Sequence, residues 1–501
     1  MKKKIIIIGA GIAGLACGVY LRGSGFDVEI FEKNDKCGGL CTTTFKNGYG
    51  FESCLYWVFG TDPNNTLYKM WDELGVVCAC DFIEFDEYMR LEYETGHSIG
   101  IYSNLNRLYE ELSALSPADS KKLYGLLTDA KKMQKFSLPY EKPVGMWRLK
   151  EYAAFIKKTL PFLPLIFKYK NLRVCDYVNK LKNANLQNAF LDLLSFFPDY
   201  PMIMVLMIFA SMDMGNACYP SGGSLFLAKA VENKLIELSL KNPVSYNSAI
   251  DKIITQNDRV AGVMAANGEI HCADYVVSCC DGYNTIFNML GGRYGTRKLK
   301  RLYNKLPIFH SYMQISFGVN RDMSDEMQFI VYKFKDPIKI GERETDIIRI
   351  RHYCFNNNFA PKGKSSLVVT FDSDYNYWDQ LYTNDIMKYN SEKERVMHEV
   401  LAVLRKRFKW IGDQIEMIDI ATPKTFERFT GNRNGSAEGW GVSCKTLTTL
   451  FPYTLKGLDN FYMAGHWTNI NGGIMTASVT ARQVAQLICN KEKMPFWSDK
   501  N

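Results

Sequence analysis

The apolar positions of this chain change period along its length, and each change marks an element. Ile5 to Ile8 is an unbroken β-branched run, the pattern of a central strand buried on both faces. Leu15 to Gly23 reads as a helix whose small residues Ala16, Cys17 and Gly18 let it lie close to a sheet, and Val28 to Phe31 as a second strand closed by Glu32. From about 103 to 190 the spacing is mostly helical, with loops around Pro117 and Pro139 to Pro143. Tyr219-Pro220-Ser221-Gly222-Gly223-Ser224 leads into a helical pattern carried by Leu225, Leu227, Ala228 and Val231. A hairpin-rich stretch follows, from Ser248 to Ile253, through Val260 to Val263, to Ala273 to Ser278. Strand patterns then dominate: Tyr312 to Val319, Phe329 to Phe334, Ile347 to Tyr353 and Leu367 to Phe371, with a helix from Met387 to Phe408 behind them. Thr422 to Thr430, running into Gly435 to Trp440, reads as a strand-to-loop transition. Asn460 to Gly465 is a short buried strand, His466 to Gly473 a loop, and a last helix begins near Ile474 and ends about Cys489.

The junction between the first strand and first helix is Gly9-Ala10-Gly11-Ile12-Ala13-Gly14. Gly9 permits the tight turn, Gly11 lets backbone approach a pyrophosphate, and Gly14 permits close helix–strand packing. The helix N-terminus, at Ile12 and Ala13, offers unpaired N–H groups and a positive dipole end to phosphate. Glu32 closes the second strand about 20 residues on, where an acid accepts hydrogen bonds from a ribose diol and repels a 2′-phosphate. Strand, glycines, helix, strand and acid stand in order within about 30 residues, so the motif predicts a dinucleotide site of the Rossmann type. Lys33 follows the acid, and Gly38-Gly39 comes six residues after it, followed by Leu40. A glycine pair there lets backbone pass close to a second stretch of cofactor, which an NAD dehydrogenase does not need. The expected cofactor is therefore FAD, held non-covalently because no His or Cys is placed for linkage.

Composition narrows the classes. With 501 residues the chain exceeds the roughly 250–300 that one core usually serves. A net charge of +8 suits an anionic cofactor or membrane surface, but no dense basic stripe points to nucleic acid. The 14 cysteines and 6 histidines have no zinc spacing and no secretory context, so a reduced, cytoplasmic protein without a metal is expected. The lysines at the start imitate a signal peptide, but glycines interrupt the apolar run and no cleavage site follows. Met202 to Met212 has about half the roughly 20 apolar residues that a membrane span needs, and reads as a core or channel-lining helix. Trp147 to Tyr169 mixes aromatics with Lys150, Lys157, Lys158 and Lys168; it reads either as a solvated helix packed on the domain or as a segment lying on an anionic interface.

The glycine pair, the Pro-Gly-Gly helix entry, the hairpin ribbon, the Thr422 to Trp440 segment and the Gly465 to Met475 segment together resemble the phytoene-desaturase-like FAD enzymes. Carotenoid isomerases and retinol saturases are relatives within the wider amine-oxidase superfamily. That family usually carries Arg after the glycine pair, where Leu40 stands here. The resemblance implies an α/β fold: a discontinuous Rossmann-like FAD-binding domain (residues 1–75, 220–300 and 415–495) with an inserted α+β substrate domain (76–219 and 301–414). It implies cofactor contacts at Ile250 on the ribbon and at Gly465, His466, Gly473, Ile474 and Met475, where the last helix would stabilise negative charge on the flavin ring. His466 is the candidate catalytic residue, for proton transfer or a hydrogen bond to the ring, beside a purely structural role. The expected activity is desaturation, saturation or isomerisation at carbon–carbon bonds of an apolar polyene, isoprenoid or other lipid, with peripheral membrane contact. Two readings stay open beside it: an FAD-dependent amine oxidase, and a non-enzymatic prenyl-binding escort protein of the same fold, against which the intact glycine loop and Glu32 argue.

Overall fold

The computed structural model describes residues 2–193, 199–356 and 358–499. Its first strand, Lys4–Ile8, has the two neighbours that a doubly buried strand requires. Asp27–Phe31 pairs parallel on one side and Tyr275–Ser278 on the other. Val244–Ser245 and Phe461–Met463 extend this to a five-stranded parallel sheet, in the order Val244–Ser245, Asp27–Phe31, Lys4–Ile8, Tyr275–Ser278, Phe461–Met463. Three distant stretches of chain thus supply one sheet. The helix Ile12–Gly23 packs on it together with Gly223–Ser239 and Gly473–Lys491. Gly18 makes the close approach: a Cβ there would stand 3.0 Å from Ile30 Cδ1 and 3.1 Å from Leu235 Cδ2.

A seven-stranded sheet forms the second layer system, in the order Ile415–Ala421, Tyr312–Val319, Ser365–Asp372, Arg343–His352, Phe329–Ile340, Glu87–Tyr93, Ser98–Tyr102. All its pairings are antiparallel except Phe329–Ile340 with Glu87–Tyr93. One face packs Ile315, Ile348, Ile350 and Val369 against Val396, Val400 and Leu404 of the helix Ile386–Arg407. Helices between residues 105 and 213 pack against the end of the sheet formed by Glu87–Tyr93 and its edge strand Ser98–Tyr102, and build an apolar cluster with them.

Three sequence expectations change. Thr422 to Thr430 is not a strand running into a loop: Pro423–Thr430 is a helix, with the Thr422 hydroxyl accepting from Thr425 N–H and proline in its first turn. The hairpin stretch divides, because Ile250–Gln256, Arg259–Ala265 and Ile270–Cys272 form a three-stranded sheet while Tyr275–Ser278 joins the parallel one. Ile415–Ala421, expected to open the third stretch of the FAD-binding domain, pairs instead with Tyr312–Val319 in the larger sheet.

Candidate functional site

The strand–helix turn is built as a cradle. Gly9 has φ +96°, and its N–H donates to Phe31 O at 2.8 Å. A Cβ on Gly14 would fall 1.9 Å from Gly9 O, so Gly14 lets the helix meet the turn. A Cβ on Gly11 would meet only Gly38 O, at 3.9 Å, and the helix Ile12–Gly23 carries no side-chain cap, leaving first-turn N–H groups for an anion. The glycine pair folds back onto this turn: Gly38 N–H donates to Ala10 O at 2.9 Å, and Gly38 and Gly39 have φ +101° and +61°. A side chain on Gly38 would strike Cys41 O at 2.2 Å.

Glu32 is only 5% exposed and faces the same turn. Its carboxylate accepts from Ala10 N–H at 2.8 Å and from the backbone and side chain of Asn34, both at 2.9 Å. These three bonds fix its orientation and leave acceptor capacity for a diol. Lys33 turns away, its Nζ donating to Arg428 O at 2.9 Å, and burial lowers its ammonium below the ordinary value against the opposing pull of Glu32. Asp281, after the strand Tyr275–Ser278, accepts from the N–H groups of Asn284 (2.7 Å) and Arg433 (3.0 Å), and burial pushes its carboxyl up to about 6.

At the far side Gly465, with φ +105°, turns the chain out of the strand Phe461–Met463. The helix Gly473–Lys491 then starts without a side-chain cap. Burial pushes the His466 imidazole down to about 4, so it is neutral at neutral pH. Glu438 stands beside this helix start: a Cβ on Gly472 would meet Glu438 O at 2.3 Å, and one on Gly473 would lie 4.0 Å from Glu438 Oε1. No hydrogen-bonding or ion-pair partner of the Glu438 side chain is found among the described residues, and burial pushes its carboxyl up to about 7. Its titratable neighbours are Tyr200 and Cys54, with His466 next to Gly439.

The turn, the glycine pair and the closing helix start open on one cavity of about 720 Å³, within the usual range for small-molecule sites. Gly9, Gly11, Ile12, Ala13, Glu32, Lys33, Gly38, Gly39, Leu40, Ile250, Gly465, His466, Gly473, Ile474 and Met475 line it. Gly14 does not; it lies behind the wall and acts through packing. Met204, Val205, Met207, Ile208 and Phe209 line the cavity from the helix Met202–Asp213, while Met202 and Leu206 of the same run are buried in the core, so both roles read for it occur on one helix. Asp281, Glu438, Arg349 and Arg351 also line it and were not singled out in the sequence. The two arginines left a trace, since charges at alternate positions of an otherwise apolar strand need a buried partner or a ligand.

One testable consequence concerns Glu438 in the cofactor-free protein. Its folded value lies above its ordinary one, so the native state holds the proton more tightly than the unfolded chain. Stability is then complete below about pH 4.5 and falls as pH rises towards about 7. Glu438→Gln removes the penalty. The variant is expected to match the parent in acid and exceed it above neutrality, by up to about 3 kcal/mol, read as a pH-dependent difference in melting temperature.

A helix-wound parallel sheet whose glycine turn and closing helix open on one cavity defines a Rossmann-like oxidoreductase fold with a flavin or nucleotide site. Residues 7–74 match the family described as NAD(P)-binding Rossmann-like domain. Over nearly its whole length the chain is similar to 4,4'-diaponeurosporene oxygenase of Staphylococcus haemolyticus, 24% identical over 97% of this chain and 97% of the relative. It is likewise similar to the chloroplastic prolycopene isomerase of Daucus carota, 22% identical over 98% of this chain and 81% of the relative. Among solved structures, an oxidoreductase from Methanosarcina mazei shares the fold, with a TM-score of 0.62 at 15% identity, covering 96% of this chain and all of the other. These relatives agree with the phytoene-desaturase-like resemblance drawn from the motifs.

Proposed function

We propose that this protein is an FAD-dependent oxidoreductase acting on carbon–carbon bonds of a polyene, isoprenoid or other apolar lipid. The observation that carries the reading is the sharing of one cavity by the glycine turn, the Gly38-Gly39 pair, the Gly473 helix start and an apolar wall of Met and Phe. The uncapped helix starts at Ile12 and Gly473 offer N–H groups to a diphosphate and to an anionic ring edge. Glu32 holds a ribose diol, and the apolar wall keeps water from the substrate. FAD supplies two-electron exchange with carbon when bound. A neutral His466 accepts a proton, and Glu438, titrating near neutrality, donates or accepts one. The relatives support the substrate class, since one is named for diaponeurosporene and the other for prolycopene. Acid precipitation of the purified protein should release intact FAD; release of FMN, of NAD or of no cofactor would overturn the assignment.

A substrate of this kind has to leave a membrane. The helix Leu149–Thr159 has no buried residue, and Leu149, Ile156, Leu160 and Phe167 are 89%, 62%, 60% and 65% exposed. No helix of the described residues is long and apolar enough to cross a bilayer, so this surface would dock rather than span. Lys157 and Lys158 near it favour anionic lipid, by up to about 1 kcal/mol each. Co-sedimentation with anionic liposomes should therefore weaken in high salt, as the Debye length falls from about 10 Å at 0.1 M to about 3 Å at 1 M. Absence of binding at every salt concentration would contradict the docking surface.

A further inference from the structure

Arg349 and Arg351 occupy alternate positions of the strand Arg343–His352 and therefore share a face. Ile348 and Ile350 turn the other way, into the core beneath the helix Ile386–Arg407. Both arginines are buried, 3% and 4% exposed, and both line the cavity. The register gives them polar company across the sheet: Arg349 faces Thr370, which faces Gln314, and Arg351 faces Val368, which faces Ser316.

The charges on this face do not balance locally. Asp372 pairs with Arg349 at 3.3 Å and lies 3.6 Å from the His310 ring. Arg351 donates Nη1 to Leu55 O at 3.0 Å and lies over the Tyr56 ring at 4.1 Å, but no carboxylate stands within 4.0 Å of it among the described residues. Glu52, the nearby acid, is engaged elsewhere: it accepts from Ser224 N–H at 2.9 Å and Tyr219 O–H at 3.0 Å, and burial raises its carboxyl above the ordinary value. Arg351 Nε and Thr370 Oγ1 are buried donors without an acceptor, in a region where polar groups are almost always paired. A buried guanidinium without a carboxylate beside it is costly, and the partner that best matches its planar fork is a carboxylate.

We propose that Arg351, with Arg349 and Thr370 beside it, forms a carboxylate-recognition site in the cavity wall, and that the substrate is an apolar chain ending in a carboxylic acid. This rests on the proposed apolar-lipid function and narrows its substrate class. The substrate's carboxylate accepts from the guanidinium groups and the Thr370 hydroxyl, which fixes which end of the chain reaches the cofactor. The site is a specificity device and takes no part in the chemistry.

The test is a fluorescence titration of the holoprotein with all-trans-retinoic acid and with its methyl ester, at a pH where the acid is ionised. The parent protein should bind the acid at least tenfold more tightly than the ester. Arg351→Met should bring the acid to the ester's affinity and leave ester binding unchanged, which also reports an intact fold; Thr370→Val should give a smaller loss of the same kind. Equal binding of acid and ester by the parent overturns the carboxylate site and leaves the apolar-substrate reading standing. Binding of neither overturns both.

Discussion

Gly14→Ala is expected to abolish formation of the holoprotein. The added methyl would sit 1.9 Å from Gly9 O and 3.0 Å from Gly9 C, both backbone atoms. Gly9 cannot yield cheaply: its N–H is bonded to Phe31 O at 2.8 Å, and its φ of +96° is already one that only glycine adopts readily. Overpacking of this kind usually costs about 1–3 kcal/mol even where side chains can repack, and here the atom that must move belongs to the cofactor cradle. The variant should purify without flavin and fail to take up FAD in a fluorescence titration at concentrations 100-fold above those that saturate the parent. Gly11→Ala is the informative contrast. A Cβ there meets nothing nearer than Gly38 O at 3.9 Å, so the variant should fold normally and lose cofactor affinity alone. A Gly14→Ala protein that retains flavin would mean that helix and turn do not meet as described.

The second large effect is expected at Glu32. Glu32→Ala removes the acceptors of a ribose diol, each charge-assisted bond contributing about 1.5–3 kcal/mol at most. It also strands Ala10 N–H and the Asn34 donors, which loosens the turn that the diphosphate needs. FAD affinity should drop at least tenfold, with a modest fall in melting temperature from the orphaned donors. Titration of the apoprotein giving an unchanged dissociation constant would remove Glu32 from the cofactor site.

What was legible in the sequence is what local chemistry dictates. The run Ile5 to Ile8, the glycines and Glu32 lie within one βαβ unit, so the strand, the turn and the acid's place beside it follow from spacing, and the strand Tyr312–Val319 matches its apolar pattern end to end. The last helix was also visible, since glycine precedes its apolar stripe. The helix Pro423–Thr430 has a capping signal in its Thr-Pro start, but its 8 residues are too few to set up a clear helical period. Other features are written only in three dimensions. Glu87–Tyr93 finds its parallel partner Phe329–Ile340 some 240 residues away, and no local pattern announces such a pairing. Glu438 lies within Gly435 to Trp440, but the lack of a side-chain partner among the described residues depends on neighbours distant in sequence, Cys54 and Tyr200 among them. Arg349 and Arg351 alternate within the strand, but only the sheet shows that the face they share is buried.

In the proposed function the cavity passes electrons between a bound flavin and carbon–carbon bonds of an apolar chain. Following the flavin absorbance band under strict anaerobiosis tests it most directly, with the oxidised protein and with protein reduced beforehand, each mixed with a solubilised conjugated polyene or with a soluble primary amine. The polyene should bleach the oxidised flavin or restore the colour of the reduced one, and the amine should do neither. Bleaching by the amine, with no response to any polyene in either redox state, would contradict it.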